Sequence, residues 1–294
     1  MASLLLPIIY LAFISLGLPD ALLGAAWPTM YPQLGAQVSW AGGVSMIISA
    51  CTILSALASD RLNERLGTGR VTAISVATTA AALFGFSFCH AFWQLCLWAI
   101  PYGLGAGSVD AALNNYVALH YKSRHMSWLH CFWGVGTIVS PFIMGYALTN
   151  RTWNSGYRII GFLQLAIAIL LLLTLPVWNI NKSATETAGK SVGLVGALKI
   201  KGVPFLLLGF FAYCALEATA MQWASTYFVE VKGISTERAA TFAALFYIGI
   251  TSGRFASGFI TDKLGDQKMI RLGTGILICG ILVLFLPIAS YQAA

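Results

Sequence analysis

Charged residues are scarce in this sequence. Of its 294 residues, 9% are charged and 58% are hydrophobic, whereas a soluble domain carries about 25% charged residues. No soluble core could bury that much apolar surface, so the composition excludes an ordinary soluble protein and predicts a chain embedded in a lipid bilayer. The formal charge of +7 does not indicate a nucleic-acid partner, because the basic residues occur in a few short loops between apolar runs.

Motifs for catalysis and for cofactor binding are also lacking. The sequence contains no G-x-S-x-G, no G-x-x-x-x-G-K-[ST], no dinucleotide fingerprint and no H-E-x-x-H. Its six cysteines lie in or at the ends of apolar runs without a C-x-x-C, which is typical of small buried hydrophobes rather than disulfides or metal ligands. We therefore predict that the protein is not an enzyme and needs no cofactor or metal, and the missing P-loop argues against direct use of ATP.

Long apolar runs are what the sequence has in abundance. A membrane-spanning helix needs about 20 predominantly apolar residues. Nine segments are predicted to span: 4–32, 41–58, 71–90, 93–119, 127–149, 157–178, 203–229, 238–260 and 271–290. The first run lacks a basic leader and is too long for a signal peptide, so we expect it to be retained. The predicted class is an all-α polytopic membrane protein.

The basic residues between the spans predict the orientation. If the N-terminus and the 59–70 loop lie in the cytoplasm, the inside loops hold twelve Lys and Arg residues and the outside loops hold four. This asymmetry fits the positive-inside rule and rejects the inverse orientation. We predict a multi-pass protein of the cell membrane (inner or plasma membrane) with a cytoplasmic N-terminus.

The chain is predicted to contain two repeated units. Segment 179–202 is the only long polar connection, and it separates a six-span unit, 1–178, from a three-span unit, 203–294. Ser59-Asp-Arg-Leu follows the second span of the first unit, and Thr261-Asp-Lys-Leu follows the second span of the other. This recurrence indicates a parallel repeat. Two matching units would need twelve spans, so either three spans are missing or the gene product is shortened.

Asp110 lies inside the apolar run 93–119. An Asp at the centre of a membrane helix costs about 2.5 to 3.5 kcal/mol on insertion scales. Asn114 follows one turn later on the same face, and Gly103 and Gly107 on that stripe allow another helix to approach closely. The pattern favours a buried ion or substrate site, and the alternative is a polar pair that only joins two helices.

Asp20 lies in the first span, between Pro19 and Pro28. Prolines interrupt the backbone hydrogen bonds of a helix, so we expect a bend at the acid. Bent helices near the midplane are where transporters bind solute. Trp27 falls on the same helical stripe as Asp20 and is predicted to contribute to the site.

Glu217 lies in the middle of the span 203–229, which the repeat makes the counterpart of the first span. Gln222 and Trp223 follow, and their amphipathic groups suit a sugar-like ligand. For Trp223 the alternative is ordinary packing. Arg254, near the predicted cytoplasmic end of its span, is expected to snorkel or to pair with Asp262.

The repeated loop elements are predicted to clamp neighbouring helices on the cytoplasmic side and to bias a conformational equilibrium. The predicted clamp consists of Asp60, Arg61, Arg65, Gly258, Asp262 and Lys263. The second element, Gly258-Phe-Ile-Thr-Asp-Lys-Leu-Gly, resembles the loop signature of the major facilitator superfamily. The first departs from it, since Ala56 and Asn63 stand where glycines are usual.

A narrower resemblance connects three spans with fucose-permease-type sugar:proton symporters. Gly103-Leu-Gly-Ala-Gly-Ser-Val-Asp110-Ala-Ala-Leu-Asn114 is similar to their fourth span, Leu16-Gly-Leu-Pro-Asp20 to their first, and Leu129-His-Cys-Phe-Trp-Gly-Val-Gly to their fifth. The resemblance implies a major-facilitator-type bundle, with nine helices present of an expected twelve. It also implies that Asp20 and Asp110 serve proton coupling and substrate binding.

The predicted function is secondary active transport of a small polar, sugar-like solute by proton symport and alternating access. Asp110 would take up the proton, and Asp20, Asn114, Glu217, Gln222, Trp223 and Trp27 would bind the solute. One alternative is a truncated, non-transporting or receptor-like membrane protein, and another is a proton-coupled drug or solute exporter. We expect a monomer whose partners are lipid, protons and the solute.

Overall fold

The computed structural model describes residues 2–178, 193–283 and 285, and these residues form helices and connections without a strand. The helices are α1 Ala2–Asp20, α2 Leu22–Gln33, α3 Trp40–Leu66, α4 Thr68–Ser87, α5 Phe92–His120, α6 Ser123–Asn150, α7 Trp153–Leu173, α8 Leu175–Trp178, α9 Gly193–Leu198, α10 Val203–Glu230, α11 Thr236–Leu264 and α12 Asp266–Val283. Residues 179–192 of the predicted linker lie outside the described part of the chain.

Seven helical stretches in the described residues are long and apolar enough to cross a membrane. They are Leu4–Gln33, Trp40–Leu66, Thr68–Ser87, His125–Asn150, Trp153–Leu173, Val203–Glu230 and Thr236–Ile260. The two other predicted spans correspond to α5 and α12, which are less apolar because α5 carries Asp110 and Asn114, and α12 carries three charges in its first turns. With 29 residues, α5 is about 43 Å long, which exceeds the thickness of the hydrocarbon core.

The first span is interrupted near its middle. Helix α1 ends at Asp20, Ala21 forms a turn, and α2 begins at Leu22. Pro19 donates no backbone hydrogen bond and crowds the carbonyl group of Ser15, which explains a break at this point. The bend predicted at the acid is therefore present in the structure.

Glycines bring the helices of the first unit into backbone contact. A Cβ atom on Gly103 or Gly107 of α5 would overlap the carbonyl oxygens of Ile48 and Thr52 on α3. The glycine stripe next to Asp110 thus serves the close approach that the sequence predicts. In the same way, Gly136 of α6 lies against the backbone of α1.

The second unit contacts the first mainly through three helix pairs: α10 packs on α2, and α11 packs on α6 and on α2. We call the side of the membrane where α1 begins the near side, and the side where α2 ends the far side. On the far side, the Tyr31 hydroxyl donates to Glu230 Oε1 at 2.7 Å, and a Cβ atom on Gly24 would overlap the backbone of Met221. The two units are therefore closed against each other on the far side.

On the near side, α1 and α10 do not pack against each other in the described part of the chain. Large apolar side chains in the first half of α10 are instead exposed: Phe205 by 80%, Leu206 by 73% and Phe211 by 69%. These faces of α10 are therefore not covered by other helices in the described part of the chain.

Candidate functional site

Polar and charged side chains near the middle of five helices form one continuous network, which we call the midplane network. Its members are Asp20 of α1, Tyr102 of α5, Trp133 of α6, Glu217 of α10 and Arg254 of α11. Asp20 lies near the middle of the stretch Leu4–Gln33. Each of the other four residues lies within about four residues, or about 6 Å, of the middle of its helix. They therefore share one depth in the membrane, and they join the first unit to the second.

The Asp20 carboxylate accepts two hydrogen bonds from other helices. The Tyr102 hydroxyl donates to Oδ1 at 2.8 Å, and the Trp133 indole N–H donates to Oδ2 at 2.8 Å. Hydrogen bonds to an ionised acceptor are about twice as strong as neutral ones, so both donors stabilise the charge in an apolar medium. The break after α1 places this carboxylate at the junction of α1, α5 and α6.

Arg254 is paired with Glu217 across α10 and α11. Its Nη2 donates to Glu217 Oε1 at 3.1 Å, to Oε2 at 3.4 Å and to the Tyr213 hydroxyl oxygen at 2.9 Å. The prediction that Arg254 snorkels or pairs with Asp262 is therefore wrong. A buried carboxylate at mid-span needs a cation nearby, so pairing inside the bundle prevails over reaching the interface.

Trp133 connects the two charged groups. The guanidinium carbon of Arg254 lies 4.8 Å from the centroid of the Trp133 ring, while the N–H at the edge of that ring donates to Asp20. The negative face of an aromatic ring attracts the cation, and its positive edge suits the carboxylate. One side chain of α6 thus links an acid of the first unit to a cation of the second.

Asp110 and Asn114 form a separate pair on α5. The Asn114 amide nitrogen donates to Asp110 Oδ1 at 2.9 Å and to the Asp110 backbone oxygen at 3.0 Å. Both side chains are half-buried. Asp110 lies about two turns from Tyr102 toward the near side, so the structure does not bring it into the midplane network. Its described hydrogen bonds stay within α5, as a shared helical face predicts, and do not join two helices.

Gln222 and Trp223 lie on the far side of the network, where the units are in contact. The Ser45 hydroxyl donates to Gln222 Oε1 at 2.7 Å, while the amide nitrogen of Gln222 is buried without a partner in the described structure. Trp223 packs against the core of the first unit.

Trp27 has a different place from the one predicted. It is fully buried, and its indole N–H donates to the Val38 carbonyl oxygen at 2.7 Å. Its bulk fills the interior of the first unit, and its only donor is already used. In this conformation Trp27 is a packing residue and has no exposed surface toward the space between the units.

The residues of the predicted clamp lie near the ends of α3 and α11. Asp60, Arg61 and Arg65 are exposed. A Cβ atom on Gly258 would lie 3.6 Å from Ser127 of α6, so α11 and α6 approach each other there. The side chains of Asp262 and Lys263 lie outside the described part of the structure, and the clamp stays a prediction.

Sequence reasoning did not predict three members of the network as site residues. Arg254 was expected to snorkel or to pair with Asp262, and Tyr102 and Trp133 were given no role. Each of these last two is an aromatic residue with a polar edge near the middle of an apolar run, and such groups usually find a hydrogen-bond partner when buried. That property was the available signal. It does not tell which acid the polar edge contacts.

The helices and the charged network define a polytopic membrane protein with a polar junction at mid-depth. The family model described as Major Facilitator Superfamily matches residues 9–293, so the chain belongs to that superfamily. The superfamily prediction is confirmed, while the narrower resemblance to fucose-permease-type symporters stays a prediction.

Relatives in this superfamily include transporters of several kinds. The chain is 27% identical to the probable nitrate/nitrite antiporter NarK1 of Thermus thermophilus, covering 90% of this chain and 64% of that protein. It is 25% identical to the hexuronate transporter of Bacillus subtilis, covering 74% and 54%. It is 23% identical to the cis,cis-muconate transport protein of Acinetobacter baylyi, covering 71% and 54%. The chain therefore spans between half and two-thirds of the length of these relatives.

Proposed function

We propose that this chain functions in secondary active transport, moving a small polar, sugar-like solute across the cell membrane by alternating access with proton symport. The observation that carries the proposal is the midplane network. Asp20, Glu217 and Arg254 are energetically costly at mid-depth in a membrane. Residues of this kind are retained where they serve a polar solute or ion. The network lies where the two units meet, which is where transporters of this architecture bind their cargo.

The packing of the two units supports alternating access. Contacts between α2 and α10 close the far side, whereas α1 and α10 do not pack against each other on the near side in the described part of the chain. The charge asymmetry of the loops favours a cytoplasmic near side. The conformation then corresponds to an inward-open state, and rocking of one unit against the other would reverse the opening.

Each candidate residue has a proposed role. Asp110 takes up the proton, because a low-dielectric environment favours the neutral form of a carboxyl group, and Asp20 couples that proton to the solute. The solute is held by Asn114, Glu217, Gln222 and Trp223, with Asp20. The clamp residues, which are Asp60, Arg61, Arg65, Gly258, Asp262 and Lys263, bias the equilibrium between the two openings.

The named solutes of the relatives support a small polar cargo. They include a hexuronate, a muconate and a gallate. The glucose/mannose transporter GlcP of Bacillus subtilis, 20% identical over 76% of this chain, supports a sugar-like one. The relatives share no single solute, so the sugar-like part of the proposal rests on the residues of the site.

Uptake into proteoliposomes tests the proposal. A panel of labelled sugars and polyols is offered with and without an imposed pH gradient, acidic on the outside. Symport predicts that at least one member accumulates against its gradient only when the pH gradient is present. Efflux driven by the same gradient would favour an exporter, and binding without flux would favour a receptor-like protein.

A further inference from the structure

Arg254 is a basic residue near the middle of α11, inside the membrane-spanning stretch Thr236–Ile260. Its side chain is 24% exposed, and that of its partner Glu217 is 12% exposed. A cation at this depth is retained only with partners, and residues of this kind mark substrate and ion pathways. Glu217 accounts for the presence of a cation, but not for its partial exposure.

Most of the donor capacity of Arg254 is unused. All three of its described hydrogen bonds leave from Nη2, although a guanidinium group carries five N–H donors on three nitrogens. Nη1 and Nε have no hydrogen-bond partner among the described residues, and neither is among the fully enclosed polar atoms. The ring of Trp133 covers one face of the guanidinium group. Its two paired edges, Nη1 with Nη2 and Nε with Nη2, each combine one unpaired nitrogen with Nη2, which Glu217 and Tyr213 occupy.

An edge of the guanidinium group matches a carboxylate once Glu217 releases Nη2. Two parallel hydrogen bonds from one guanidinium group bind both oxygens of a carboxylate with fixed geometry. A neutral sugar needs no such group, because hydroxyl and amide side chains satisfy its hydroxyls. The unpaired nitrogens of Arg254 therefore suit a negatively charged solute that displaces Glu217 from Nη2.

Arg254 can pair with one carboxylate of a solute that displaces Glu217, but not with a second negative charge. Glu217 already faces the guanidinium group, and Asp20 lies on the other side of Trp133. A second negative charge on the solute would meet these two carboxylates with no further cation to balance it. Dianions, such as phosphate esters, are therefore disfavoured.

Tyr213 supplies a polar group beside the same edge. Its hydroxyl oxygen accepts from Arg254, the residue is 40% exposed, and its O–H is directed to Glu217, so it becomes available when the solute displaces Glu217. A solute hydroxyl next to the carboxylate could accept that hydrogen bond. The neighbourhood therefore suits a hydroxylated acid.

We propose that the solute is a small hydroxylated monocarboxylate, which binds an edge of the Arg254 guanidinium group in competition with Glu217. This inference rests on the proposed transport function and names its substrate class. Glu217 is then an internal competitor that occupies part of the guanidinium group when the solute is absent. Removing the competitor and removing the cation must have opposite effects on binding.

Binding to the 294-residue chain in lipid nanodiscs tests this directly. Equilibrium dialysis compares glucuronate with glucose and gluconate with glucitol, so that each acid has a matched neutral partner. We expect at least one acid to bind about tenfold or more tightly than its partner, since charge-assisted hydrogen bonds are lost in the neutral compound. Glu217→Gln should tighten binding of that acid, and Arg254→Gln should abolish the preference for it.

Two further variants keep the test decisive. Arg254→Gln leaves the Glu217 carboxylate unpaired, and this variant can fail to fold. The double variant Arg254→Gln/Glu217→Gln has no charge at either position, and it must also lose the preference for the acid. Arg158→Gln removes an arginine that lies over Phe88, away from the network, and should leave binding unchanged.

The remaining outcomes separate this inference from the proposed function. Equal binding of acids and neutral partners, a preference that survives in the double variant, or no binding of either acid would overturn the inference. Flux of neutral sugars together with equal binding would overturn it and leave transport intact. Tight binding of an acid without flux in proteoliposomes would support it and contradict the transport function.

Discussion

The two hydrogen bonds to Asp20 make a quantitative prediction about stability. Asp20→Ala leaves the Tyr102 hydroxyl and the Trp133 indole N–H without their acceptor. Each buried donor that loses its partner costs about 1 to 3 kcal/mol. The variant also removes a carboxylate whose burial is itself unfavourable. The net loss should therefore lie in the lower part of the summed range, at about 2 to 3 kcal/mol.

A double-mutant cycle isolates the contact between Asp20 and Trp133. Trp133→Phe removes one donor and keeps the aromatic ring against Arg254. If the contact exists, the double variant loses less stability than the sum of the single variants, with a coupling energy of about 1 to 3 kcal/mol. For a chain of this size, each kcal/mol corresponds to about 2 to 4 °C in Tm.

A thiol-reactive dye reports the unfolding, because Cys89 and Cys131 are free and buried in the folded protein. Asp20→Ala should lower the midpoint by about 4 to 12 °C. Trp93→Phe is the matched control, since Trp93 is 60% exposed, and should change stability by less than about 0.5 kcal/mol. Strict additivity of the two site variants, within about 0.5 kcal/mol, would refute the contact.

Three further variants test other parts of the structure. Asp110→Asn should abolish pH-driven accumulation in proteoliposomes while exchange of solute persists; undiminished uphill uptake would remove Asp110 from the coupling. Gly24→Val should prevent closure of the far side, because its side chain would overlap the backbone of α10, and uptake should fall at least about tenfold; wild-type uptake would show that this contact is not needed. Gly136→Ala should lower the midpoint of unfolding by several degrees, at about 1 to 3 kcal/mol for an overpacked contact. Gly42→Val and Gly42→Ala are matched controls, since a Cβ atom there meets nothing within 4 Å, and an equal effect in a control would contradict the packing.

Hydropathy predicted the helices well because each span must satisfy its own backbone in lipid. The predicted spans 93–119 and 203–229 correspond to α5, Phe92–His120, and α10, Val203–Glu230. The break at Asp20 was also predictable, because the effect of Pro19 on the backbone is local. These features depend on neighbouring residues, and the sequence displays those directly.

The contacts of the midplane network were less predictable because they depend on how distant helices are rotated against each other. Tyr102 and Trp133 lie 82 and 113 residues from Asp20 in the sequence. The pairing of Arg254 with Glu217, 37 residues apart, follows from α10 and α11 presenting these faces to each other. The burial of Trp27 was unpredictable for the same reason. Its position on the Asp20 face of the helix does not tell which neighbouring helix covers it.

The most direct test of the central claim, that a polar path reaches the midplane between the two units, is cysteine accessibility. In a cysteine-free background, Glu217→Cys is treated from each side of the membrane with a charged, impermeant methanethiosulfonate reagent, and Phe162→Cys serves as a control exposed on the outer surface of α7. We predict rapid modification at position 217 from the near side and none at position 162. If position 217 were as unreactive as position 162 from both sides, no polar path would reach the network, and the transport proposal would be contradicted.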